Sequence, residues 1–135
     1  MRTIDWTAQG TGAPGDIVKA AIPISGIFDL EPIRHTSIND VIGMDAGEAR
    51  RQSPLFMEQP VKTRQLVVVG ATKTEEFHRQ SDEYCAGLGR QASRSSDTAG
   101  VDHFDLVNRF ADAGSVFFAK PLRLIEATRF AAERA

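Results

Sequence analysis

The sequence has 135 residues, 41% hydrophobic and 25% charged, with 16 Lys and Arg against 18 Asp and Glu for a net charge of −2. That length accommodates one globular core and excludes two. Scattered basic residues exclude a footprint for nucleic acid or a membrane surface, no apolar run reaches the roughly 18 residues that span a bilayer, and the single Cys85 excludes an internal disulfide and a cysteine-based metal cluster.

Residues 1–16, rich in Gly, Thr, Pro and Ala without periodicity, read as loop, and with no apolar leader the expected location is the cytoplasm. The run 17–26 (IVKAAIPISG) fits a buried strand, although Pro23 cannot donate to a ladder. One or two short helical turns are expected in the loop that follows. Ala46–Gln52 then forms a short helix that Ser53-Pro54 stops. The stretch 64–72 (RQLVVVGAT) is the clearest strand: consecutive aliphatic residues without alternation imply cover on both faces, as in a parallel sheet. Thr72 and Glu75 have capping-box spacing before a helix from about Thr74 to Ala86. Its inner stripe is Phe77, Tyr84, Cys85 and Leu88, and Gly87 and Gly89 stop it. By rhythm, the polar stretch 90–104 holds another, weaker strand. A helix over Phe104–Ala111 turns Leu106, Val107 and Phe110 inward. The tail, 112–135, carries a terminal helix with Pro121 in its first turn. Strand, helix, strand, helix, strand, helix predicts an α/β layered domain, short for a complete doubly wound sheet.

Chemistry-bearing residues are few. Serines stand at 25, 37, 53, 81, 93, 95, 96 and 115, and none sits between two glycines as a strained nucleophile elbow requires. Ser25 follows a strand but has Pro23 and Ile27 at the outer positions, and Cys85 lies mid-helix as a structural residue. His103, in GVDHF, falls where a strand hands over to a helix, a place suited to a general base. Its plainer reading is an exposed residue beside a capping Asp102. Glu75 and Glu76 are the carboxylates after the strong strand, and the helix dipole alone accounts for them. His78 reads as solvated on its helix and His35 as a loop residue without a role. The histidines lack the spacing of a metal site.

Four strings in order, ISGIFDLEPIRHTSIND, ARRQSPLF, VVVGATKTEEFHRQSDEY and GVDHFDLVNRF, resemble the C-terminal half of the arylformamidase (kynurenine formamidase) branch of the α/β-hydrolase esterases, over roughly residues 4–111. The resemblance implies an α/β fold with late parallel strands at 17–26 and 65–71 and flanking helices. It also implies a Ser-acid-His triad without cofactor or metal, His103 as the base, and hydrolysis of N-formyl amides or small carboxylic esters. The family's nucleophile elbow and oxyanion hole lie upstream of anything present, so a partial hydrolase domain lacking its N-terminal half is expected. The family's acid position, four residues before the Phe of E-F-x-R-Q-S, is Lys73. A lysine opposes an imidazolium where an acid would stabilise it. Glu76 or Glu75 is the candidate substitute.

Two functional expectations result. In the first, the chain is the base-bearing portion of a formamidase-like hydrolase, acts on a small-molecule amide or ester only when completed, and is inactive alone. In the second, it is a non-catalytic remnant serving as a binding or assembly module, a homodimer or the partner of a separate N-terminal half. A site built from His103 with Asp102 or Glu76 ranks below both.

Overall fold

The structure, a computed structural model, describes residues 7–10, 12–59, 63–95 and 103–132, without the side chains of 103–105, 116 and 129–132. Three parallel strands form one sheet in the order β1 (Ala20–Ala21), β2 (Arg64–Val68), β3 (Ala92–Ser95). The run 17–26 therefore contributes only two residues of regular strand. Pro23, which lacks an N–H, interrupts the ladder, but its carbonyl accepts from Val68 N at 2.8 Å. Ile24 then bridges Val68, and Ser25 N donates to Val68 O at 2.7 Å, so the chain stays parallel to β2 beyond the break.

β2 is central and covered on both faces, as its unbroken aliphatic run predicts. Leu66 and Val68 point to one face, against Leu106 and Phe117, with Ile22, Ile24, Phe110 and Leu124 at the margin. Val67 points to the other, against Phe28, Tyr84 and Leu88. The period of two in a strand thus divides one apolar run between two cores. β3 forms where the rhythm required it, although it reads Ala-Ser-Arg-Ser. Its register on β2 (Leu66 opposite Ser93, Val68 opposite Ser95) is carried by backbone hydrogen bonds rather than side-chain burial.

The loop after β1 holds a 3-10 turn, Glu31–His35, and α1 (Ile38–Ile42). His35 thus closes a short helical turn, 3.3 Å from Glu31, instead of lying in open loop. α2 spans Ala46–Gln52 as expected, and its Asp45 and Glu48 make a reciprocal capping box. α3 runs Glu75–Leu88 between β2 and β3. Its N-cap is Thr74, in extended conformation with no side-chain cap bond, so the expected Thr72–Glu75 box does not form; Thr74 has Phe77 three residues on, which cannot return the bond. Gly87 lies inside the helix, and the stop is Gly89, at φ +53° where a Cβ would be strained. Tyr84 and Leu88 are buried and Phe77 only half so; the remaining buried positions of α3 are polar, Gln80 and Ser81.

α4 (His103–Ala111) and α5 (Val116–Ala132) cover the Leu66 face. Leu106 is fully buried, but Val107, expected inward, is 52% exposed: one step along a helix turns a side chain by about 100°, off the narrow stripe that Leu106 and Phe110 fill. α5 begins earlier than Pro121 suggested. Ser115 caps it, its Oγ accepting from Phe117 N at 3.0 Å, which leaves Pro121 inside the helix. No helix among the described residues is long and apolar enough to cross a membrane.

Candidate functional site at the carboxyl edge of the sheet

In a parallel sheet the loops leaving the carboxyl ends of the strands gather along one edge. Here that edge collects Ser25 after β1 and the Gly70–Lys73 turn after β2; residues 96–102, between β3 and His103, lie outside the described residues. Lys73 N donates to Gly70 O at 3.0 Å, closing the turn just before α3. The Lys73 ammonium lies 4.8 Å from the Phe77 ring centroid, a cation–π contact rather than an ion pair. His103 is the first residue of α4. Its imidazole, and the whole of Asp102, lie outside the described residues.

Ser25 has the only positive φ among described non-glycine residues, +47°, and its Oγ is buried without a hydrogen-bond partner. The signal was present in the sequence as a Ser-Gly pair directly after an interrupted strand. Gly26 is obligatory for another reason: a Cβ there would stand 2.6 Å from the Phe28 ring.

The two carboxylates differ. Glu75 is exposed, and its carboxylate makes no hydrogen bond or ion pair with a described residue. Glu76 accepts from Arg79 Nε at 2.8 Å and Gln80 Nε2 at 2.8 Å. These bonds, the one from Arg79 first, hold its carboxyl far below the usual value of 4.5, at about 2. Arg79 also pairs with Glu83 at 2.8 Å and reaches Asp29 at 3.6 Å. Glu76 is thus ionised and already directed at two side chains of its own helix.

Gln80, which sequence reasoning passed over, is 4% exposed and saturated. Its Oε1 accepts from Phe28 N at 2.8 Å and Asp29 N at 2.9 Å, while Nε2 donates to Asp29 O at 3.0 Å as well as to Glu76. Ser53, fully buried, accepts from Leu30 N at 2.8 Å and donates to Ala49 O at 2.6 Å. Leu55 N donates to Phe28 O at 2.9 Å, and the Phe28 ring stacks on Tyr84 at 3.9 Å between centroids. Three of the four resemblance-bearing strings therefore meet in one hydrogen-bonded cluster behind the edge. Beside it, Ile27, Pro32, Ile33 and Phe77 line an apolar crevice of about 50 Å³, too small for an organic substrate of ordinary size.

The other candidates are accounted for. His78 is not solvated: its Nδ1 lies 2.6 Å from Arg94 Nη2, so it accepts that bond, while Arg94 Nη1 pairs with Asp82 at 2.6 Å. Burial pushes the free Cys85 thiol up, away from the reactive thiolate. Among the described residues no His, Cys, Asp and Glu gather in a group able to hold a metal.

No family model matches the chain. It is 29% identical over 128 residues to the kynurenine formamidase of Danio rerio, which covers 90% of this chain and 43% of the relative. It is 29% identical over 103 residues to the kynurenine formamidase of Salmo salar, covering 70% of this chain and 35% of the relative. Among solved structures it superposes on a Silicibacter sp. tm1040 protein, a thioesterase by designation only, with a TM-score of 0.66 and 28% identity over 75% of this chain and 37% of that one. The chain spans less than half the length of each of these proteins. In sequence it is similar to kynurenine formamidases, and in fold to a hydrolase-like structure, the likeness that its motifs at 24–110 carried.

Proposed function

We propose that the chain is the base-bearing portion of a formamide- or ester-cleaving hydrolase, with His103 as general base, and that the 135 residues are inactive alone. The observation that carries this reading is the topology. A turn holding Lys73 leaves β2, and the helix opened by His103 follows β3, so the family's acid and base positions belong to adjacent parallel strands. The similarity to kynurenine formamidases, 29% identity over 90% and 70% of the chain, points the same way. Of the two substitute acids, Glu75 is the one we assign: Glu76 would have to leave Arg79 and Gln80 to serve an imidazole. The substrate class is an N-formyl amide or a small carboxylic ester, without metal or cofactor.

Removing the nucleophile from a triad costs on the order of 10⁶ in turnover. The isolated chain should therefore leave N-formylkynurenine and p-nitrophenyl acetate at the buffer rate. Hydrolysis well above that rate, abolished by His103→Ala, would show a resident nucleophile and overturn the assignment of inactivity.

A second reading, assembly with a partner, is favoured by β1. Among the described residues this strand pairs only with β2, and none of them covers its outer edge as a further strand. The resemblance places the rest of the family's fold upstream, which commits the partner to an N-terminal hydrolase half supplying the next strand. Light scattering behind size-exclusion chromatography, with and without a co-expressed N-terminal half of a relative, tests it. A monomer that ignores the added half refutes it.

A further inference from the structure

The basic residues are scattered in the sequence, but the fold gathers three of them. Between β2, β3 and α5 lies a cleft of about 390 Å³, lined by Arg64, Lys120 and Arg123 and by the hydroxyl-bearing Ser93 and Ser95. Leu66 and Leu124 form its apolar floor, and no carboxylate of a described residue lines it. Arg94 also borders it, but the Arg94 guanidinium is held by Asp82 and His78 of α3 and is not counted.

The cleft is built, not merely charged. Ser95 is 4% exposed, and its Oγ accepts from Lys120 Nζ at 2.9 Å, which fixes the ammonium over the sheet. Several described bases are matched to acids, Lys19 to Asp16, Arg34 to Glu31, and Arg79 to Glu76 and Glu83, and Arg50 and Lys73 lie over aromatic rings. Arg64 and Arg123 are exposed and have no carboxylate partner among the described residues. Two guanidinium groups that no described carboxylate neutralises thus face one concave place.

From this geometry we infer a binding site for a phosphate group, free or carried on a small organic body. Guanidinium groups from two elements match tetrahedral oxyanions, the ammonium adds a point charge, and the serine hydroxyls supply donors. The volume is at the lower end of ligand pockets and suits a small phosphomonoester, whose body would rest on Leu66 and Leu124. The site opens at the amino end of β2 and reaches Ser95, the last residue of β3. Arg64 opens β2, and Gly70 lies six residues on, about 20 Å away at roughly 3.3 Å per residue. It stands whether or not the hydrolase reading holds.

Titration of the 135-residue chain by calorimetry with inorganic phosphate, phenyl phosphate and benzoate tests it. At least one phosphate should saturate with a Kd of about 1 mM or below, and benzoate should bind at least about tenfold more weakly. Tighter phenyl phosphate identifies an organic ligand, and equal affinity identifies free phosphate. Arg64→Gln and Arg123→Gln alter exposed residues outside the core and should each weaken binding about tenfold with unchanged circular dichroism. Amide shifts in the wild type should centre on Ser93, Ser95 and Ala127. No saturation up to about 10 mM, unchanged affinity in the double variant, or shifts centred elsewhere would overturn the site.

Discussion

Replacing Gln80 by leucine tests whether the buried cluster, rather than hydrophobic packing alone, fixes the loop behind the carboxyl edge. The volume is nearly conserved, so no cavity opens, but four hydrogen bonds disappear. Phe28 N and Asp29 N lose their acceptor where water has little access, and each stranded N–H costs about 1–3 kcal/mol. Asp29 O is partly exposed and recovers a bond from water. Burying an aliphatic side chain returns about 1 kcal/mol. The net loss is about 1–5 kcal/mol, centred near 3, a large share of the 5–15 kcal/mol that holds a domain of this kind together. For 135 residues that is a fall in Tm of about 10 °C. Urea unfolding followed by far-UV circular dichroism measures the loss, and amide exchange at Phe28 and Asp29 locates it. A loss under about 0.5 kcal/mol at unchanged m-value, with both amides still protected, would refute the reasoning.

Ser53→Ala should cost about 1–2 kcal/mol by urea unfolding, because a fully buried hydroxyl serves both Leu30 N and Ala49 O. Glu76 supplies a pH dependence: its carboxyl is lowered from 4.5 to about 2 in the folded chain, so its contribution is complete above about pH 4.5 and is lost as pH falls toward 2. The pair is well exposed and the effect stays below about 1 kcal/mol; Glu76→Gln, or added salt, should flatten that limb of the stability curve. Pro121→Ala should raise Tm, since a proline inside α5 withholds a helical N–H; an unchanged or lower Tm would indicate a helix that begins at the proline.

What the sequence made legible followed from periodicity. Four aliphatic residues in a row at 66–69 required two covered faces, and the structure supplies a separate core on each. The short helix at 46–52 was readable from its stop at Ser53-Pro54. Less legible was whatever depends on the partner of a polar group. The spacing of Thr72 and Glu75 suits a capping box, but the backbone enters the helix at Thr74, where no such pair exists. Pro121 marks a helix start by its own preference, yet the capping hydroxyl of Ser115 and the contact of Phe117 with the core draw the helix back to Val116. Gln80 carries no periodic signal because its burial is set by two amide groups some fifty residues away.

The same distinction bears on what the resemblance to formamidases reports. The segments S-G-I-F-D-L-E-P, S-P-L and E-F-H-R-Q-S are not three independent pointers to a reacting centre. Phe28 and Asp29 bond to Gln80, Leu30 to Ser53, and Leu55 to Phe28, so the first segment is tied to each of the other two. A substitution at one would leave buried donors stranded in another, and such a cluster holds together as a unit. Its residues describe the scaffold behind the edge loops, whereas the proposed chemistry rests on Glu75 and His103, neither of which belongs to the cluster. This separation predicts a dissociation of effects. When the chain is completed by a nucleophile-bearing half, His103→Ala should abolish turnover of N-formylkynurenine at unchanged Tm. Gln80→Leu should lower Tm while leaving residual turnover at temperatures below unfolding. Loss of turnover in Gln80→Leu without loss of stability would place Gln80 in the chemistry itself and collapse the division between scaffold and site.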